Sequence, residues 1–212
     1  MLNLKEYPMV RKTDRDCEIP NLLEFLRFYK DFYKSVLDVG ARYTADYYAH
    51  DIRKLAETYD GLDPTPDPKV AKIVDHFIIA DAVKWEFKPY DVIICCSTLE
   101  HIGQYPIWYK DYKEKRLTVF EKILRVVRRY FWFSFPVGQD FCEPGELALF
   151  SELDFARMEC LLKPFVWEAG FFWSNGPQAG HPWKPTDKKN AFRHEYDPKL
   201  GTRSLCIIEG AV

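Results

Sequence analysis

The chain has 212 residues, 47% of them apolar and 17% aromatic, which suffices for a sizeable core and excludes a disordered or low-complexity chain. A net charge of −2 gives no footprint for long nucleic acid. Residues Met1 to Glu6 carry charges where a signal peptide needs an apolar run, and no stretch nears the roughly 20 apolar residues of a membrane helix. The expectation is a cytoplasmic protein without a membrane span.

In chain order, Asn21 and Glu24 are spaced like a capping box, and Leu22, Phe25, Leu26, Tyr29, Phe32 and Tyr33 repeat at helical spacing. They predict a helix to about Lys34, which closes an N-terminal lead over residues 1–34. Val36 to Val39, ending at Gly40, predicts a buried strand meeting a turn. Thr44 stands where it would cap a helix with Ala45, Tyr48, Ala49, Ile52 and Leu55 on one face. A weaker strand over Thr58 to Leu62 stops at Asp63-Pro64, and a short helix is predicted over Lys69 to Val74. His76 to Ala80 is the third strand and ends at Asp81.

Tyr90 to Cys96 is the fourth and clearest strand. Leu117, Phe120, Ile123, Leu124 and Val127 mark a long helix that feeds a fifth strand over Tyr130 to Phe135. Ser151 caps a helix to about Leu162, with a continuation past Pro164 toward Gly170. Phe171 to Trp173 and Leu205 to Glu209 are the last strands, separated by a long loop over residues 174–203. Strands alternating with helices require parallel pairing and a doubly wound sheet, here in a single domain over residues 1–212.

The six cysteines lack C-x-x-C spacing, and adjacent Cys95 and Cys96 project to opposite faces of a strand, so no metal site is expected. In an open parallel sheet, ligands bind beyond the carboxyl ends of the strands, where strand order reverses. Those ends carry Gly40, Asp63, Asp81 and the run Ser97-Thr98-Leu99-Glu100-His101. The arrangement suits a nucleoside: a glycine admits close backbone approach, and an acid about 20 residues later accepts ribose hydroxyls.

These residues resemble the class I S-adenosylmethionine-dependent methyltransferases. Val36-Leu37-Asp38-Val39-Gly40 is similar to that family's first motif, and Gly61-Leu62-Asp63-Pro64 to the end of its second strand. Ala80-Asp81-Ala82 resembles its third motif, and Tyr90 through Ile102 its fourth strand and following turn. The resemblance spans about residues 20 to 210. It implies a Rossmann-like α/β fold whose mostly parallel seven-stranded sheet ends in an antiparallel strand, Leu205 to Glu209, with helices on both faces. It also implies S-adenosylmethionine as cofactor, with Asp63 on the ribose and Asp81 and Ala82 on the adenine. Asp38, Gly40, Ala41, Arg42 and Ser97 complete the expected cofactor-binding set. Two positions depart from the family pattern. Arg42 stands where a second glycine is usual, either obstructing the methionine half or binding its carboxylate. The helix before the fifth strand ends in Arg128-Arg129 in place of a Lys-Pro-Gly-Gly type turn.

Transfer to a hydroxyl is helped by a general base, for which His101 is the first candidate, and Glu100 could orient it. Both also have plain structural readings, as a satisfied histidine and as an acid at a helix start. Asp38, inside an apolar strand, needs partners and is expected to organise the glycine loop. The stretch 174–203, with His181-Pro182-Trp183 and His194-Glu195-Tyr196, and Phe141 to Gly145 are candidate acceptor contacts or ordinary surface. The reading is a methyltransferase acting on a small hydroxyl-bearing acceptor, such as a sugar or glycan precursor. The alternative is a catalytically inactive methyltransferase-like binding or assembly subunit.

Overall fold

In the computed structural model, which describes residues 2, 4–8, 11, 13–104, 110–139, 141–143, 147–177, 180–197 and 203–212, the predicted alternation of strand and helix is present. The strands are β1 (Ser35–Val39), β2 (Thr58–Asp63), β3 (His76–Ile79), β4 (Val92–Cys96) and β5 (Tyr130–Val137). A short ladder, β6 (Cys142–Glu143) and β7 (Leu147–Ala148), precedes β8 (Val166–Ser174), β9 (Lys184–Thr186) and β10 (Arg203–Ala211). The helices are α1 (Arg15–Phe28), α2 (Ala49–Leu55), α3 (Tyr112–Val126), α4 (Glu152–Leu162) and α5 (Lys188–Arg193).

The main sheet runs β3-β2-β1-β4-β5-β10-β8-β9. β1 to β5 pair in parallel, and β10 lies antiparallel between β5 and β8. Strand order reverses between β1 and β4. Because side chains alternate along a strand, each strand feeds two cores. Ile93 and Cys95 of β4 and Phe131, Phe133 and Phe135 of β5 join Phe120 and Ile123 of α3 and Phe155 and Met158 of α4 on one face. Val92, Ile94, Cys96 and Trp132 join Leu22 and Leu26 of α1 and Ile52 of α2 on the other. The alternation puts Cys95 and Cys96 in different cores, as their adjacency requires.

Several boundaries differ from the sequence reading. The sheet has eight strands rather than seven, because β9 is built from the long loop and pairs antiparallel with β8 at the edge, where Pro185 is tolerated. Helix α1 begins at Arg15, before the expected capping box, and ends at Phe28. Asn21 does not cap. Its amide donates to Cys17 O at 2.9 Å. The earlier start is held by Asp16, whose carboxylate accepts the backbone N–H groups of Arg11 and Thr13, and the helix runs through Pro20 because Ile19, Leu22 and Leu23 are buried around it.

Thr44 likewise does not cap α2. Its hydroxyl donates to Ala41 O at 2.7 Å and opens a 3-10 turn, Thr44–Asp46. The short helix of residues 69–74 is a 3-10 turn, Val70–Lys72. Residues 166–170 are strand, not a continuation of α4, since their burial alternates with period two. Ser151 does cap α4, in a reciprocal capping box with Asp154. Among the described residues no helix is long and apolar enough to cross a membrane.

Candidate functional site

A cavity of about 720 Å³ opens over the carboxyl ends of β1, β2 and β4, beside the point of strand reversal. Its floor begins where β1 turns at Gly40, which takes φ +83°. The amides of Gly40 and Ala41 both donate to Leu62 O, at 2.8 and 3.2 Å, tying the loop to β2. A Cβ at Gly40 would lie 1.9 Å from Thr98 Oγ1, so glycine is required by conformation and by contact. Beneath, a Cβ on Gly61 would meet Ala41 Cβ at 2.8 Å, which fixes how closely the loop packs on β2.

The second left-handed residue of the loop is Tyr43, at φ 67°, whose amide donates to Asp67 Oδ2 at 2.9 Å. Arg42 lines the cavity with its guanidinium 4.4 Å from the Tyr43 ring centre, a cation–π contact. Asp63 closes β2. Burial raises its carboxyl above the usual range, against the Thr65 and Arg42 backbone amides and the Arg42 charge, which favour the anion. Asp81 and Ala82 follow β3 on the same wall, and Asp81 accepts the Val83 amide at 2.9 Å.

Beyond β4, Ser97 takes φ 42°. Its amide donates to Ser134 O and Oγ, each at 3.1 Å. Its hydroxyl donates to Glu18 of α1, which also accepts Ser134 Oγ at 2.6 Å and Arg15 Nη1 at 2.7 Å. Arg15 reaches the cavity wall and contacts Cys96 Sγ at 3.0 Å. His101 lines the cavity with its side chain 47% exposed, and its Nε2 stands 4.0 Å from Glu100 Oε1.

Of the expected site residues, Gly40, Arg42, Asp63, Asp81, Ala82, Ser97 and His101 converge on this cavity. Asp38, Ala41 and Glu100 do not line it. Ala41 is fully buried under the loop. Asp38 points into the α1–α2 core, where the hydroxyls of Tyr59 and Tyr48 donate to it at 3.0 and 3.3 Å. Burial pushes its carboxyl up to about 7. Burial likewise pushes Glu100 up to about 8, and its Oε2 is enclosed without a hydrogen-bond partner. Among the described residues no three of His, Cys, Asp and Glu converge to hold a metal ion.

The sequence reading missed Arg15 and Glu18. Their signal was a cluster of charges, Asp14 to Glu18, before an apolar helical stripe, and a polar lead conceals that such charges will be buried. Of the candidate acceptor contacts, Trp183 is buried behind α1, its indole donating to Thr13 O at 3.1 Å, and His181 is exposed. Phe141, Cys142, His194 and Tyr196 gather near the ends of β5 and β8. Residues 144, 145, 178, 179 and 198–202 lie outside the described residues.

No protein-family model matches this chain, and no curated protein matches its sequence. Solved structures do match it in shape. Magnesium protoporphyrin IX methyltransferase from Synechocystis PCC 6803, with bound SAM, aligns with a TM-score of 0.55 over 91% of this chain and 77% of its own, at 13% identity. The N-methyltransferase NodS from Bradyrhizobium japonicum WM9 aligns with a TM-score of 0.56 over 95% of this chain and 98% of its own, at 9% identity. The methyltransferase domain of a bacterial Hen1 aligns with a TM-score of 0.54 over 95% and 100%, at 13% identity. The chain has the Rossmann-like fold of class I S-adenosylmethionine-dependent methyltransferases.

Proposed function

We propose that the protein is a cytoplasmic S-adenosylmethionine-dependent methyltransferase. The observation that carries this is the convergence of Gly40, Asp63, Asp81 and His101, from four separate strand ends, on one cavity at the strand reversal. The donors there suit the cofactor. Asp63 has carboxylate lone pairs beyond those its backbone partners use, and these would accept the two ribose hydroxyls. Asp81 would receive the adenine amino group, with the backbone at Ala82 beside the ring. Arg42 would offer a cation to the carboxylate of the methionine half, which makes the substitution of Arg42 for glycine a means of binding.

Bound S-adenosylmethionine supplies a sulfonium methyl open to in-line displacement. The chain's own share is to orient the acceptor and move one proton. His101, at the cavity and partly exposed, takes the proton from the acceptor hydroxyl. Glu100 sits behind it and is neutral near pH 7, so it orients the imidazole by contact rather than by charge. Asp38 holds the loop through Tyr48 and Tyr59 without touching cofactor. The acceptor is a small hydroxyl-bearing molecule, for which a sugar or glycan precursor is the class to test first.

A second reading, an inactive binding or assembly subunit, is favoured by one observation: Arg42, with Tyr43 after it, puts a bulky side chain on the cavity wall where the family pattern has a second glycine. Calorimetric titration with S-adenosylmethionine and S-adenosylhomocysteine separates the two. Micromolar binding supports the enzyme, and no binding of either compound to folded protein supports the second reading.

A further inference from the structure

A group of rings stands at the same end of the sheet as the cavity, on elements the cofactor reading does not use. β4 and β5 run parallel, and β10 pairs Arg203 with Ser174 and Ser204 with Val137, so the ends of β5 and β8 and the start of β10 share that edge. There Trp173 and His194 stack, with centres 4.8 Å apart and planes at 27°. Beside them Phe141 and Tyr196 meet at 4.7 Å and 52°. All four rings are half-buried. His194 Nδ1 lies 2.8 Å from the hydroxyl of buried Ser204, which fixes the imidazole plane, and burial lowers its pKa, favouring the neutral ring. Trp173 Nε1 is shut from solvent without a hydrogen-bond acceptor.

Two chains of contact join this shelf to the cavity. On one side Cys142, next to Phe141, approaches Gln104 Oε1 at 3.7 Å, and Gln104 adjoins Gly103 of the cavity wall. On the other, Arg203 lies within electrostatic reach of Tyr196 and donates to Asp14 at 2.8 Å, next to Arg15 of the opposite wall. Both joining arginines are matched, Arg203 by Asp14 and Arg15 by Glu18. The join therefore offers aromatic rings rather than spare positive charge.

We propose that this shelf is the acceptor subsite, and that it takes an uncharged, hydroxyl-bearing ring stacked on Trp173, His194 and Tyr196. The proposal rests on the methyltransferase reading for what the bound ring is for, but not for whether it binds. A pyranose face and a phenolic ring share this chemistry, since both stack on aromatic side chains and both carry hydroxyls.

The test uses the full chain labelled at its tryptophan indoles, with the Trp173 signal identified by its loss in Trp173→Phe. Methyl glucopyranoside, catechol and benzoate are titrated separately, and S-adenosylhomocysteine is titrated into a parallel sample. The expected result is a shift of the Trp173 indole by at least one neutral ring, weakened about tenfold by Tyr196→Ala, with benzoate far weaker. Tighter binding of the glucoside or of catechol tells a sugar from a phenol. The proposal is overturned if neither neutral ring moves the Trp173 signal, if benzoate binds as well, or if Tyr196→Ala leaves the affinity unchanged. Failure of S-adenosylhomocysteine alone removes the cofactor reading and leaves the shelf standing.

Discussion

Glu18 accepts a hydrogen bond from the hydroxyl of Ser97, a residue 79 positions away at the end of β4. The same carboxylate holds Ser134 and Arg15, and its side chain is fully buried. One acid thus fastens α1 to the sheet and aims Arg15 at the cavity.

Glu18→Ala leaves the mostly enclosed Arg15 without its counter-charge and two hydroxyls without an acceptor. Breaking a buried pair from one side costs about 3–5 kcal/mol, and the partial exposure of Arg15 at the cavity reduces this to roughly 2–3 kcal/mol. Urea denaturation is the measurement. A loss below about 0.5 kcal/mol would show that the cluster contributes little.

Gly40→Ala meets two separate obstacles. The φ of +83° costs an L-residue about 1–2 kcal/mol, and the new methyl would collide with the Thr98 side chain. Adding Thr98→Ala removes the two nearest clashing atoms and leaves Thr98 Cβ at 2.7 Å. The double variant should recover part of the lost stability and never all of it. Full recovery would mean that the φ constraint is relaxed by a shift of the loop.

The parts of the fold legible in sequence are those set by local pattern. β4 is an unbroken apolar run, α3 has a clear helical stripe, and Ser151 caps α4 as expected. What was hidden depends on partners distant in sequence. Glu18, near the start of α1, reaches Ser97 at the end of β4, and β9 exists because β8 offers it an edge. The acids at strand ends were visible as a motif. Their fates were not: both project to the same face of the sheet, but Asp63 stands at the end of β2 on the cavity, whereas Asp38 pairs with Gly61, two residues deeper, and is enclosed by tyrosines.

Asp63→Ala should weaken S-adenosylhomocysteine binding by at least about tenfold, since hydrogen bonds to a charged group contribute roughly 1.5–3 kcal/mol. Asp63→Asn, which keeps an acceptor oxygen, should lose less. Calorimetry on both variants checks this, with urea midpoints to separate affinity from folding. Unchanged affinity in folded Asp63→Ala would remove the ribose assignment.

Glu100 gives the fold a dependence on pH opposite to that of a salt-bridged acid. Burial holds its carboxyl at about 8 against an ordinary 4.5, so near pH 7 it is protonated when folded and ionised when unfolded. Unfolding then releases a proton, and stability falls as pH rises from about 4.5 to about 8, by on the order of a few kcal/mol in total. Asp38, raised to about 7, adds a similar fall over the lower part of that range. Glu100→Gln keeps the neutral shape and removes the titration. Its melting temperature should decline less than the parent's between pH 5 and 8, and should exceed the parent's at pH 8. Parallel curves would mean that Glu100 is ionised in the folded protein, and its neutral role beside His101 would fall with that result.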